Sequence, residues 1–135
     1  MAPELQAFDH VHVFVTDRAA AERWYGEVLG LHRAEALDSW AAGAGPLTVQ
    51  DASGSIHIAL FERTAQPCRS TVALRVRGSE YAQWKDHLER HLAGGVGEED
   101  HRVSLSLYFN DPDGNPYELT TYDVAQVRGG AHRAP

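Results

Sequence analysis

The chain has 135 residues, 43% hydrophobic and 23% charged, which supplies the core of one compact domain and leaves too little length for two independent ones. A formal charge of -7 argues against a phosphate-tracking surface, so no nucleic-acid partner is expected, and the single cysteine, Cys68, rules out an intrachain disulfide or a cysteine-rich zinc cluster. The N-terminal stretch MAPELQAFDH has no basic segment followed by an apolar run, and nowhere does an apolar run reach the roughly 18 residues of a membrane helix, so a cytoplasmic protein without a membrane partner is expected.

Residues 8–15 alternate Val11, Val13 and Val15 against His10, His12 and Phe14, the period-2 pattern of a strand with one helix-packing face. Thr16 or Asp17 can cap a helix that carries Ala21, Trp24, Val28 and Leu29 and ends at Gly30. Three extended stretches follow, at 31–37, 47–50 and 55–62, separated by the Gly/Pro-rich 42–46 and the turn Asp51-Ala52-Ser53-Gly54. The unit is βαβββ.

From Ser70 the pattern begins again. Val72, Leu74 and Val76 alternate, Gly78-Ser79 opens a helix bearing Tyr81, Trp84, Leu88 and Leu92, and a polar stretch at 94–100 precedes strands at 103–109 and 117–122 around the turn Asp111-Pro112-Asp113-Gly114. Module one is placed at 6–63 and module two at 69–123, within a single domain of residues 1–125, and residues 126–135 read as a flexible tail. Register decides which residues correspond. Matching the turns pairs His57 with Tyr117, whereas matching the alternation brings His57 opposite Glu118; alternation is preferred because a one-residue slip turns a whole strand over. With His10 set against Thr71, the four corresponding corners are His10, His57, Thr71 and Glu118.

Three ordered phrases resemble the vicinal oxygen chelate superfamily of glyoxalases, bleomycin-resistance proteins and extradiol dioxygenases. They are Phe8-Asp9-His10-Val11-His12-Val13-Phe14-Val15, Trp24-Tyr25-Gly26-Glu27-Val28-Leu29-Gly30-Leu31, and Tyr108-Phe109-Asn110-Asp111-Pro112-Asp113-Gly114-Asn115-Pro116-Tyr117-Glu118-Leu119. The resemblance covers nearly the whole chain. It implies an α+β fold in which two βαβββ modules form a partly open mixed β-barrel, with a divalent metal that chelates neighbouring substrate oxygens. The ligand corners then fall on His10, His57 and Glu118. Thr71 departs from the histidine that many relatives carry and is assigned to substrate binding.

Two imidazoles and a carboxylate suit Fe(II) first, with Mn, Ni or Zn as alternatives. His12, which shares a face with His10, and Tyr108 are the candidate catalytic groups for moving protons, each against the alternative of a core side chain. Trp40, beside the glycine-rich loop, is a candidate substrate contact. His32, His87, His91, His101 and His132 read as solvated or structural, and Cys68 as a linker residue.

The resemblance implies a metal-dependent enzyme acting on a small molecule, dioxygenase-like or glyoxalase-like, as a homodimer. The alternative is a metal-free dimer of the bleomycin-resistance kind that binds an antibiotic. A thiol transferase similar to fosfomycin-resistance enzymes is a third reading, disfavoured by Thr71.

Overall fold

A computed structural model describes residues 1–64 and 68–131. It divides into two compact units, Met1–Gln66 and Pro67–Pro135. Unit one runs β1 (Val11–Val15), α1 (Arg18–Leu29), β2 (His32–Arg33), a 3₁₀ helix (Glu35–Ala41), β3 (Leu47–Gln50) and β4 (His57–Glu62). Unit two runs β5 (Val72–Arg75), a 3₁₀ turn (Gly78–Glu80), α2 (Tyr81–His91), β6 (Gly97–Asp100), β7 (Leu105–Asn110), β8 (Pro116–Thr121) and α3 (Val124–Ala131). Among the described residues no helix is long and apolar enough to cross a membrane.

Each unit holds one four-stranded mixed sheet, ordered β1-β4-β3-β2 in the first and β5-β8-β7-β6 in the second. In both, the first strand runs parallel to the last and the remaining pairs are antiparallel. This is βαβββ twice, as the repeat predicts.

In unit one the alternation of β1 sends Val13 and Val15 into the core with Val49, Ile58 and Leu60. Helix α1 covers them through Ala21, Tyr25 and Val28, spaced so that they share one helical face. Its ends follow from the sequence. The Asp17 carboxylate accepts from the Ala20 amide, and Gly30 at φ 68° closes the helix in the left-handed region. The expected strand at 31–37 is cut short: only His32–Arg33 pairs, after which Ala34 donates to the Thr48 carbonyl and the helix-forming run Glu35-Ala36-Leu37 winds into a 3₁₀ helix.

Unit two buries Leu107, Phe109, Tyr117 and Leu119 beneath Tyr81 and Leu88 of α2. Gly78 is required where α2 begins, because a Cβ there would stand 2.5 Å from the Asp123 Cβ and 2.8 Å from its carbonyl oxygen. The residues expected as a frayed tail carry helix α3 as far as Ala131, where Val127 donates to the Asp123 carbonyl and Arg128 reaches the Asp100 carboxylate. The strand expected from 103 starts at Leu105, because 101–103 form a tight turn with Arg102 at φ 72°.

The ladders also correct the internal correspondence. Val11 pairs with Ile58 and Val72 pairs with Tyr117, so aligning Val11 with Val72 matches Ala59 with Glu118 and His57 with Pro116. The expected match of His57 to Glu118 is therefore displaced by two residues. Alternation reports only which face a residue occupies, and a shift of two leaves the face unchanged.

Candidate functional site

The face of the first sheet turned away from α1 collects most of the candidate side chains of unit one. In the ladder, His12 neighbours Ala59, which neighbours Thr48, and His57 neighbours Gln50. His10 precedes β1 by one residue. Its Nε2 lies 2.9 Å from the Nε2 of His12, the two rings are 4.9 Å apart and 18° from parallel, and its Nδ1 meets the Asp9 carboxylate at 2.6 Å. One protonation pattern satisfies both contacts: His10 donates from Nδ1 to Asp9, and its Nε2 lone pair accepts from His12. The hydrogen bond from His10 holds the Asp9 carboxyl below its ordinary range.

His57 is held from both sides, with Nδ1 3.2 Å from the Asp9 carbonyl oxygen and Nε2 3.0 Å from Oε1 of Gln50. Aromatic rings border the group. Phe61 lies 4.7 Å from the His12 ring and Trp40, 44% exposed, 6.3 Å from that of His10. Trp40 lies in the last turn of the 3₁₀ helix, and its carbonyl packs so tightly on Gly45 that a Cβ there would overlap it. The Thr48 hydroxyl, beneath this face, is buried and has no hydrogen-bond partner among the described residues.

In unit two, Glu118 sits between Ala73 and Tyr108 in the ladder, on the face opposite Tyr117 and Leu119. Ser106 donates to its carboxylate at 2.7 Å and lies 3.1 Å from the Thr120 hydroxyl. The Tyr108 hydroxyl meets Nε2 of His101 at 2.9 Å. Burial of the phenol, then the negative charges of Glu118 and Glu99, raise the Tyr108 pKa above its ordinary value. Thr71 is exposed just ahead of β5.

Unit one thus brings together His10, His12, His57 and Trp40, and unit two places Glu118 and Tyr108 side by side. Among the described residues no group of three His, Cys, Asp or Glu side chains is placed to hold a metal ion. Asp9, Gln50, Ser106 and His101 joined these networks without a pattern signal, except that Asp9 directly precedes the strand histidine. The His87 and His91 rings lie 4.3 Å apart and tilted by 42° on α2, where Nδ1 of His91 meets the His87 carbonyl. His132 lies outside the described residues. Cys68 is half-buried, its amide donating to the Asn115 side chain.

A profile of the Glyoxalase/Bleomycin resistance protein/Dioxygenase superfamily matches residues 7–119. The chain belongs to this superfamily. Solved members of the fold include a glyoxalase family protein from Bacillus anthracis, 23% identical, covering 90% of this chain and 99% of that one at a TM-score of 0.66. The integron cassette protein HFX_CASS4, from the mobile metagenome of Halifax Harbour Sewage Outfall, is 24% identical over 87% of this chain and 99% of that one, also at 0.66. FosX, a fosfomycin resistance protein of Listeria monocytogenes solved with Mn(II) and sulfate, is 15% identical over 96% of this chain and 100% of that one, again at 0.66. No curated protein gives a significant match. These structures share the superfamily fold with this chain.

Proposed function

We propose that this superfamily member is a divalent-metal enzyme that engages a small substrate through two neighbouring oxygen atoms. The observation that carries the reading is the Asp9–His10 contact. A carboxylate on Nδ1 fixes the ring and its tautomer and makes Nε2 the more basic, which is how proteins prepare a histidine ligand. The donors fit such an ion, being imidazole nitrogen and carboxylate oxygen with no thiolate, a set that Fe(II), Mn(II), Ni(II) and Zn(II) accept. His10 would hold it, with Glu118 and a second imidazole, His57 in the sequence reading, as the further protein ligands. When bound, the ion would supply Lewis-acid stabilisation of an anionic substrate oxygen.

The protein's own groups would do the rest. Ser106 orients the Glu118 carboxylate. Tyr108, kept protonated by its surroundings, would hold a proton for transfer, and His101 is in place to receive it. Phe61 and Trp40 give the histidine face an apolar border for a small organic molecule. A dioxygenase-like reaction with Fe(II) and a glyoxalase-like proton transfer both use these parts, and we propose a homodimer. The exposed aromatic side chains Phe14 and Trp40 favour the second reading, a metal-free dimer that binds an aromatic antibiotic.

Metal content separates the two. Apo-protein incubated with Fe(II) under anaerobic conditions, or with Mn(II), Ni(II) or Zn(II), is expected to retain one ion per chain by mass spectrometry, and His10→Ala to lose about 100-fold or more in affinity. Protein that stays metal-free with all four ions would leave the binding-module reading.

A further inference from the structure

We infer that His12, rather than His57, is the imidazole that shares a metal ion with His10, and that His57 is a positioning residue acting through Asp9. This rests on the metal reading above and specifies its ligands.

Residues two apart on a strand project from the same face, so a His-x-His pair is a natural two-nitrogen chelate. Here the pair is already assembled: the Nε2 atoms of His10 and His12 face each other at 2.9 Å between rings that are nearly parallel. With metal–nitrogen distances of about 2.0–2.1 Å, two nitrogens at right angles on one ion stand about 2.9 Å apart. The pair therefore has the separation of two adjacent ligands, on an ion that would sit to one side of the line between the nitrogens once the shared proton has left it. His12 would then carry its proton on Nδ1.

His57 is arranged for a different task. Neither ring nitrogen points to the His10–His12 contact: Nδ1 faces the Asp9 backbone oxygen and Nε2 the Gln50 amide. To become a ligand it would have to break one of these bonds. Left in place, it anchors the backbone of the residue whose carboxylate orients His10. The sequence of contacts is Gln50 to His57, His57 to the Asp9 main chain, and the Asp9 side chain to His10. The ladder agrees, because the position matching His57 in unit two is Pro116, which has no ligating atom, whereas Glu118 matches Ala59 beside His12.

The test uses the full chain, stripped with chelator and titrated with CoCl₂ and MnCl₂, read by calorimetry and, for Co(II), by visible absorption. Wild type is expected to bind one equivalent. His12→Gln should weaken binding at least 100-fold and change the Co(II) spectrum. His57→Gln, whose amide N–H can still donate to the Asp9 oxygen, should stay within about 3-fold of wild type, and His57→Ala should lose about 10-fold, both with the spectrum unchanged. Nitrogen-15 spectra of wild-type histidines titrated with ZnCl₂ give the same answer without a substitution, with the Nε2 signals of His10 and His12 moving and those of His57 remaining. If His57 moves and His12 does not, or if His57→Gln loses the Co(II) spectrum while His12→Gln keeps it, the assignment is overturned and the metal reading stands. If wild type binds neither ion, both fall.

Discussion

The two units use one scaffold for two kinds of polar chemistry. In both, an aspartate caps the hairpin before the last strand: Asp51 accepts from the Ile56 amide and the Ser53 and Ser55 hydroxyls, and Asp111 accepts from the amides of Asp113 and Asn115 and from the Asn115 side chain. Gly54 and Gly114 take the same left-handed conformation in these turns. Away from the core face the likeness ends. Unit one presents imidazoles directed by a carboxylate, and unit two presents Glu118 held by a hydroxyl and Tyr108 paired with His101. The core face of each sheet must match its helix in shape, whereas the opposite face tolerates exchange of polar side chains, so duplication fixed the frame and left the chemistry free to diverge.

The turns give the sharpest way to break this comparison. Asp111 is 4% exposed and Asn115 1%, so Asp111→Ala strands buried donors and is expected to cost about 3 kcal/mol in urea unfolding. The more open Asp51 should cost about 1–2 kcal/mol as Asp51→Ala. Equal losses would mean that the two caps are equivalent despite their different burial.

Helix entry differs in a second way. Helix α1 begins on a side-chain cap, whereas α2 follows a 3₁₀ turn with no side-chain cap, pressed against Asp123. Gly78→Ala should therefore lower stability by about 2 kcal/mol through the forced displacement, and Asp17→Ala by about 1 kcal/mol through loss of the cap. Thermal midpoints of the two variants check the order.

A further difference is a pH dependence carried by the Asp51 turn. Burial opposes ionisation of Asp51, but the hydrogen bonds from Ser53, Ile56 and Ser55 outweigh it and bring the pKa from 3.8 to about 2. The unfolded chain thus takes up this proton first, so the contribution is complete above pH 3.8 and is lost as the pH falls towards 2. Asp51→Asn should flatten the fall of stability across that window, measured by urea unfolding at successive pH values. An unchanged slope would show that the folded turn does not depress this carboxyl.

Much of the frame was legible in the sequence because it rests on local rules. Period-2 alternation marked β1 and β5, Asp17 and Gly30 marked the ends of α1, and the two Asp-to-Gly turns marked the hairpins. The short β2 and helix α3 were hidden: Glu35-Ala36-Leu37 could be read as either state until Ala34 bonded to Thr48, and the Gly129-Gly130 pair looks like a chain end until Arg128 reaches Asp100. His10, His12, His57 and Glu118 were identified as polar residues on the faces away from the cores, since alternation determines the face.

By itself the sequence determined the superfamily, the doubled βαβββ order and the strand face on which His10, His12, His57 and Glu118 lie, all of which follow from patterns a few residues long. Only the tertiary structure decided the register, which places His57 beside Gln50 and matches Glu118 with Ala59, and the contacts that join Asp9 to His10 and His10 to His12. A slip of two residues along a strand changes no periodicity, yet it changes every neighbour.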